Sequence, residues 1–324
     1  MVQKKDKPIT LGVDLGGTKV NVGLVDSNGK LLFVHKSLIG ASKEPENVFN
    51  EIVTDVNVCL TETGLDANAI GIGVAAQVNN EGVVIGSPNL GWRNFPLKKK
   101  LEKKLGMPVL VTNDVRAATW GEWRYGVGKG VNNLVVLFVG TGVGGGVISE
   151  GNILTGCTNS GGELGHMTIV SGGRKCKCPN KGCLEAYVGG WAIAERAQEA
   201  IENLPVEGKP MLIMAGNLRL VTSVTVNKAY RQGDLLARIL LDETGRYLAS
   251  GIVSIVNAFN PCFLVLGGGV IEAIPELVTI VNNMVPQMAL EAAVKNLKIV
   301  RAALGGDAAV IGAASLAQSL VELH

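Results

Sequence analysis

Two distant segments of the chain repeat one pattern, and no other feature constrains the fold as strongly. Residues 9–36 read ITLGVDLGGTKVNVGLVDSNGKLLFVHK. Three short apolar runs with strand character are separated by LGGT and by SNG, the latter a hairpin-turn signal. Residues 133–156 read NLVVLFVGTGVGGGVISEGNILTG. Again an apolar strand meets a Gly/Thr turn, a second strand follows, and SEGN turns the chain back. One device is used twice. At 324 residues the chain has room for about two domains, and an apolar content of 47% excludes a disordered chain.

The second segment contains G-x-G-x-x-G at Gly140, Gly142 and Gly145. In a dinucleotide-binding unit that motif opens a helix. Here it runs into the strand-like GGGVIS, which rejects that reading, and no Walker A sequence is present. Glycines nevertheless let backbone N–H groups approach an anion, and Thr18 and Thr141 add hydroxyl donors. Either turn alone reads as an ordinary tight hairpin. As a pair, Gly16-Gly17-Thr18 with the adjoining Lys19, and Gly140-Thr141-Gly142, are expected to hold a polyphosphate. Asp14 ends the first strand just before its glycines and suits Mg²⁺, bound directly or through water. The plainer role for it is shaping the turn. A third turn, Gly267-Gly268-Gly269, follows the buried-strand pattern CFLVL and offers backbone to a flat ligand such as adenine and its ribose.

The formal net charge is +2, and the one basic block, PLKKKLEKKLG, reads as an exposed helix face, so no nucleic-acid partner is expected. No apolar stretch precedes the first strand-like run, so no signal peptide is expected. Residues 252–271, IVSIVNAFNPCFLVLGGGVI, are long enough to span a membrane. Asn260-Pro261 and the three glycines divide them into a buried helix, a buried strand and a turn. A soluble, cytoplasmic protein without a membrane partner is expected. Cys59, Cys157 and Cys262 stand among apolar or small residues and read as buried small hydrophobes. Cys176, Cys178 and Cys183 crowd into one loop and, in a cytoplasmic chain, read as metal ligands before disulfides.

GVDLGGTK, SPNLGW, NDVRAATWGE, VGTGVGGGVI, GELGH, CKCPNKGCLE and LGGGV occur in the order seen in the ROK family of sugar kinases. The chain resembles that family over nearly its whole length, its glucokinase branch most closely. The resemblance implies the actin-like, hexokinase-like ATPase fold: two α/β domains, each on a mixed sheet, with the active site in the cleft. It implies a smaller domain of residues 1–117, joined by a last helix within 307–324, and a larger domain of residues 118–306 that contains the cysteine loop. The last helix, GDAAVIGAASLAQSLVEL, has an Asp near its start and apolar residues at helical spacing.

From the residues alone, Asn113-Asp114 at a strand-to-helix junction is a common N-cap arrangement. The resemblance makes Asp114 the catalytic base, taking the proton of the sugar hydroxyl during phosphoryl transfer. It also makes Asn89, Asn113, Asp114, Glu163, His166 and Glu185 the hexose site. Pro88 fixes the backbone before Asn89, and Trp92 is expected in the core. Cys176, Cys178 and Cys183 with His166 form a Cys₃His set, which fits structural tetrahedral Zn²⁺. Four protein ligands leave no open position, so the metal is expected to anchor the loop that presents Glu163 and Glu185. The implied activity is ATP-dependent phosphorylation of the 6-hydroxyl of glucose in a homodimer or homotetramer. Another hexose or an N-acetyl amino sugar (N-acetylmannosamine or N-acetylglucosamine) is the alternative substrate, and polyphosphate the alternative donor. Sugar-sensing regulators of the family carry an N-terminal helix-turn-helix domain; only eight residues precede Ile9, so a catalytic member is expected. Three places depart from the family pattern. Pro179 replaces the glycine after the second cysteine. Arg116 and Trp120 replace small or polar residues, and Arg116 is expected to touch phosphate or to pair on the surface. Ala75-Ala76-Gln77 replaces a Pro-Gly pair near the sugar, where substrate preference can shift.

Overall fold

The computed structural model describes residues 8–322 apart from Pro88. The expectation placed on Pro88 therefore lies outside the described residues. Apolar, β-branched runs form thirteen strands among them: β1 (Thr10–Leu15), β2 (Lys19–Val25), β3 (Leu31–Leu38), β4 (Ala69–Val74), β5 (Gln77–Val78), β6 (Val84–Ser87), β7 (Trp92–Phe95), β8 (Val109–Asn113), β9 (Leu134–Val139), β10 (Val143–Ser149), β11 (Asn152–Ile153), β12 (Phe263–Gly267) and β13 (Lys298–Arg301). One five-stranded sheet has the order β3-β2-β1-β4-β8 and another the order β11-β10-β9-β12-β13. The two orders are the same, strand for strand. In the first, β1–β2 and β2–β3 are antiparallel while β1–β4 and β4–β8 are parallel. In the second, β10–β11 are antiparallel while β9–β12 and β12–β13 are parallel. The repeated hairpins are thus the openings of two mixed sheets of one design. A small third sheet has the order β5-β6-β7.

The chain divides into two compact units. One takes in residues up to Asn132, Gly146–Gly162 and Ala303 onward; the other takes in Asn133–Gly145 and Glu163–Ala302. In the first unit β1 and β4 are buried almost throughout, as parallel strands covered on both faces must be. Their cover on one face is the helix Ala308–Glu322, which approaches at backbone contact. A Cβ on Gly12 would lie 1.9 Å from the Val310 carbonyl oxygen, and one on Gly71 would lie 1.8 Å from that of Ala313. A Cβ on Gly312 would lie 1.8 Å from the Ala117 oxygen in the helix Asp114–Arg124. The glycines set how deeply the closing helix seats, and the closing helix in turn fixes the helix that begins at Asp114. The basic block forms the helix Leu97–Leu105, burying Leu97 and Leu101 while Lys99, Lys103 and Lys104 stay exposed, as expected.

In the second unit the long apolar run divides as the sequence predicts. The helix Leu235–Phe259 ends at a left-handed Asn260 (φ 43°), and β12 follows. No helix among the described residues is long and apolar enough to cross a membrane. Cys59 is buried as expected, but Cys157 and Cys262 are exposed. Their small or apolar neighbours misled: Cys157 follows the left-handed Gly156 in a connection, and Cys262 precedes β12, where no layer covers it.

Candidate active site

In the first unit the parallel strands end in line. Leu15 pairs with Val74 and Val74 with Asn113, so Asp14, the segment after Val74 and Asn113-Asp114 share one edge of the sheet. The carboxyl ends of parallel strands are where open α/β sheets bind ligands. Asp14 faces Asn21 across the β1–β2 pair and accepts its amide N–H at 3.2 Å. Burial raises the Asp14 carboxyl above its ordinary range, and the Asn21 bond works against that rise. The turn between them closes by Gly16 N–H to Lys19 O at 3.0 Å and leaves Thr18 and Lys19 exposed. A Cβ on Gly17 would come within 2.9 Å of the Asn89 Cβ, so the structure brings this turn and Asn89 together. Trp92 is buried, as expected, with its indole donating to the Lys43 carbonyl at 3.1 Å.

Asn113 ends β8 and caps the helix Asp114–Arg124: its Oδ1 accepts the Arg116 N–H at 3.1 Å. Its Nδ2 donates to Ala76 O at 3.3 Å, which ties the Ala75-Ala76-Gln77 segment to the helix start. The amide keeps a second hydrogen and a second lone pair for a ligand. Asp114 Oδ1 accepts the Val115 N–H at 2.9 Å, and a Cβ on Gly73 would lie 3.1 Å from the Asp114 Cα. The strand β4 thus approaches the helix start closely and sets where the carboxylate stands.

In the second unit three elements gather at the end of β9. The turn Gly140–Gly142 closes by Gly140 N–H to Gly142 O at 2.9 Å, and its carbonyls accept the first N–H groups of the helix Gly190–Asn203. Gly268 (φ 90°) leaves β12 so close to β9 that a Cβ would meet the Val139 oxygen at 2.6 Å. Only glycine permits both that dihedral and that approach. The third element is Glu185, nearly buried, whose Oε2 accepts the Val143 N–H at 2.8 Å and whose Oε1 accepts the Trp191 indole at 3.2 Å. Glu163 is exposed and begins the short turn Leu164–His166. That turn packs on the start of β10, where a Cβ on Gly165 would meet the Val143 oxygen at 2.0 Å.

His166, Cys176, Cys178 and Cys183 converge, with their ligand atoms all within 4.8 Å of one another. Cys176 Sγ lies 3.6 Å from His166 Nδ1, and Cys178 Sγ lies 3.6 Å from Cys183 Sγ. A tetrahedron with zinc–ligand distances of about 2.0–2.3 Å has edges of roughly 3.5–3.8 Å, so these pairs have the right size. Burial pushes the Cys183 thiol up to about 12 and raises that of Cys176, conditions that a cation among the sulfurs would reverse. With Nδ1 facing the thiols, His166 keeps Nε2 for another partner. Gly182 (φ 82°) brings the loop back on itself, since a Cβ there would sit 1.7 Å from the Val170 oxygen. Pro179 stands exposed at the loop tip, where it displaces nothing.

The sequence profile of the ROK family matches residues 10–320. The chain belongs to the ROK family. It is 34% identical to the glucokinase of Thermotoga maritima over 94% of this chain and 96% of that one. It is 32% identical to the glucokinase of Streptomyces coelicolor over 96% of this chain and 98% of that one. The crystal structure of a ROK family glucokinase from Streptomyces griseus in complex with glucose and AMPPNP matches with a TM-score of 0.83 at 32% identity, covering 96% of this chain and 99% of that chain.

Within this ROK chain, sequence reasoning missed or misread three residues. Arg116 does not pair on the surface. It is buried, and its guanidinium donates to Asn159 Oδ1 at 2.6 Å, Asn159 O at 3.0 Å and Gly161 O at 3.2 Å. Asn159 in turn donates to Val78 O at 2.9 Å, so this departure and the neighbouring Ala75–Gln77 departure belong to one network. Asn21 was findable, because a two-residue-tight turn after Asp14 places it opposite. Trp191 was not, because its contact with Glu185 depends on a helix start that the local pattern does not announce.

Proposed function

We propose that the chain is an ATP-dependent kinase that phosphorylates the 6-hydroxyl of glucose. The observation that carries this is Asp114: a carboxylate at the first residue of a helix locked by glycine contacts, in a chain whose near-full-length relatives are named glucokinases. Phosphoryl transfer asks a protein mainly to position the nucleophile, accept its proton and stabilise phosphate charge. Asp114 accepts the hydroxyl proton. Asn113 and Asn89 hydrogen-bond sugar hydroxyls, and Glu163, Glu185 and His166 Nε2 bond those at the other end of the hexose. Gly16, Gly17, Thr18 and Lys19, with Gly140, Thr141 and Gly142, donate to the phosphates, while Gly267, Gly268 and Gly269 lie along the nucleoside. Asp14 holds Mg²⁺, which when bound neutralises phosphate charge. His166, Cys176, Cys178 and Cys183 hold a structural zinc that shapes the loop between Glu163 and Glu185.

A coupled ADP-release assay across hexoses and amino sugars tests the substrate. Glucose is expected to exceed N-acetylglucosamine and N-acetylmannosamine by about tenfold or more in kcat/KM, since an N-acetyl group at C2 unpairs a polar contact worth roughly 1–3 kcal/mol. Faster turnover of an N-acetylated sugar would replace glucose as the substrate and leave the kinase. No ADP release with any sugar would remove the kinase.

A further inference from the structure

The first unit contains a cavity of about 420 Å³ that none of the residues assigned above lines. Its size falls in the usual range for small-molecule sites, roughly 300–1,000 Å³. Ser27 and Asn28, from the β2–β3 turn, form one wall. Trp123, Arg124, Tyr125 and Lys129, from the end of the helix Asp114–Arg124 and the segment after it, form the other.

The aromatic part of this wall is held rigidly. The Trp123 indole donates to the Val131 carbonyl, and its ring packs on Trp120 at 4.7 Å between centroids. The Tyr125 ring lies against the β2–β3 turn, where a Cβ on Gly29 would come within 2.4 Å of it. Its hydroxyl accepts from Ser315 at 3.3 Å and donates to Gln318 at 3.4 Å. Ring faces fixed this way cost a ligand no ordering entropy.

The cationic part is unmatched. Neither the Arg124 guanidinium nor the Lys129 ammonium has an ion-pair or hydrogen-bond partner among the described residues, and both side chains are exposed. The acceptors at the end of the helix Asp114–Arg124 are occupied. The Glu122 carboxylate accepts the Val127 and Leu304 N–H groups, and the last-turn carbonyls of Gly121 and Glu122 accept those of Tyr125, Gly126 and Gly128. The Ser27 hydroxyl is also buried without a partner. Two exposed cations lining one cavity suit a multivalent oxyanion, and a guanidinium fork suits phosphate in particular. Fixed ring faces call for a flat or C–H-rich ring beside that anion.

We propose that this cavity binds a small phosphomonoester carrying a ring, its phosphate between Arg124 and Lys129 and its ring on Trp123 and Tyr125. A sugar phosphate and a nucleoside monophosphate share that chemistry. The test is calorimetric titration of the full chain, with glucose and AMPPNP present at saturation, using glucose 6-phosphate, AMP and inorganic phosphate as probes. At least one ring phosphate is expected to bind one to one and about tenfold or more tighter than inorganic phosphate. Arg124→Ala and Lys129→Ala should each weaken it about tenfold, the usual loss for one charge-assisted contact, while kinase turnover and thermal midpoint stay unchanged. Preference for glucose 6-phosphate identifies a sugar-phosphate site, and preference for AMP a nucleotide site. No binding, equal affinity for inorganic phosphate, or affinity unchanged in both variants overturns the proposal.

Discussion

Two aspartates carry the proposed chemistry at the scale of single residues, and their surroundings differ. Asp114 stands on a helix start with one oxygen on the Val115 N–H. Asp114→Asn keeps that shape but cannot take a proton. Turnover is expected to fall about 10²–10⁴-fold, with the KM for glucose nearly constant. Steady-state kinetics decides it, and near-normal kcat would remove Asp114 as the base. Asp14 differs because burial lifts its carboxyl. A group whose folded pKa lies above its unfolded value contributes its full stabilisation below the unfolded pKa and loses it as pH rises through the folded one. At neutral pH the half-buried anion therefore works against the nucleotide-free fold. Asp14→Asn should abolish turnover with Mg·ATP yet raise the thermal midpoint at pH 7.5, a gain that fades as pH falls toward the carboxylate range. A midpoint lowered at pH 7.5 would contradict this. Arg116 shows the limit of reading residues in order. Its partner Asn159 lies 43 positions away, so only the folded chain shows that the charge is buried.

Elements were legible where their signal is local. Both hairpins followed from β-branched runs meeting Gly/Thr turns, and the broken apolar stretch followed from Asn260-Pro261. The glycines that seat the closing helix were not legible, because Gly71 looks like any strand glycine until Ala313 arrives from the far end of the chain. Gly71→Ala is expected to destabilise by about 1–3 kcal/mol or more, because its Cβ would meet that carbonyl at 1.8 Å. Gly86→Ala, with no atom within 4 Å of the new Cβ, should stay within about 0.5 kcal/mol. Denaturant midpoints of the two variants provide the comparison, and equal shifts would deny the close approach its role. The cysteine loop was legible from spacing, although the hold of Trp191 on Glu185 at its end was not. Elemental analysis should find one zinc per chain. Cys178→Ser should raise the KM for glucose more than that for ATP, because Glu163 and Glu185 flank the loop. Equal losses of both, or no zinc, would deny the loop its anchoring role.

At the scale of the whole molecule, one sheet design used twice accounts for the paired Gly/Thr turns, since each lies in the first hairpin of its sheet. Duplication was visible in the sequence because the hairpins are contiguous. The matching order of the remaining strands was not, since β4, β8, β12 and β13 join by crossovers of differing length. In the proposed function the chain moves the terminal phosphate of ATP to the 6-hydroxyl of glucose. Product identification by ¹³C and ³¹P NMR after incubation of the full chain with Mg·ATP and labelled glucose tests it most directly. The predicted result is glucose 6-phosphate formed in step with ADP, and none with Asp114→Asn; no sugar phosphate, or phosphate on another hydroxyl, would contradict it.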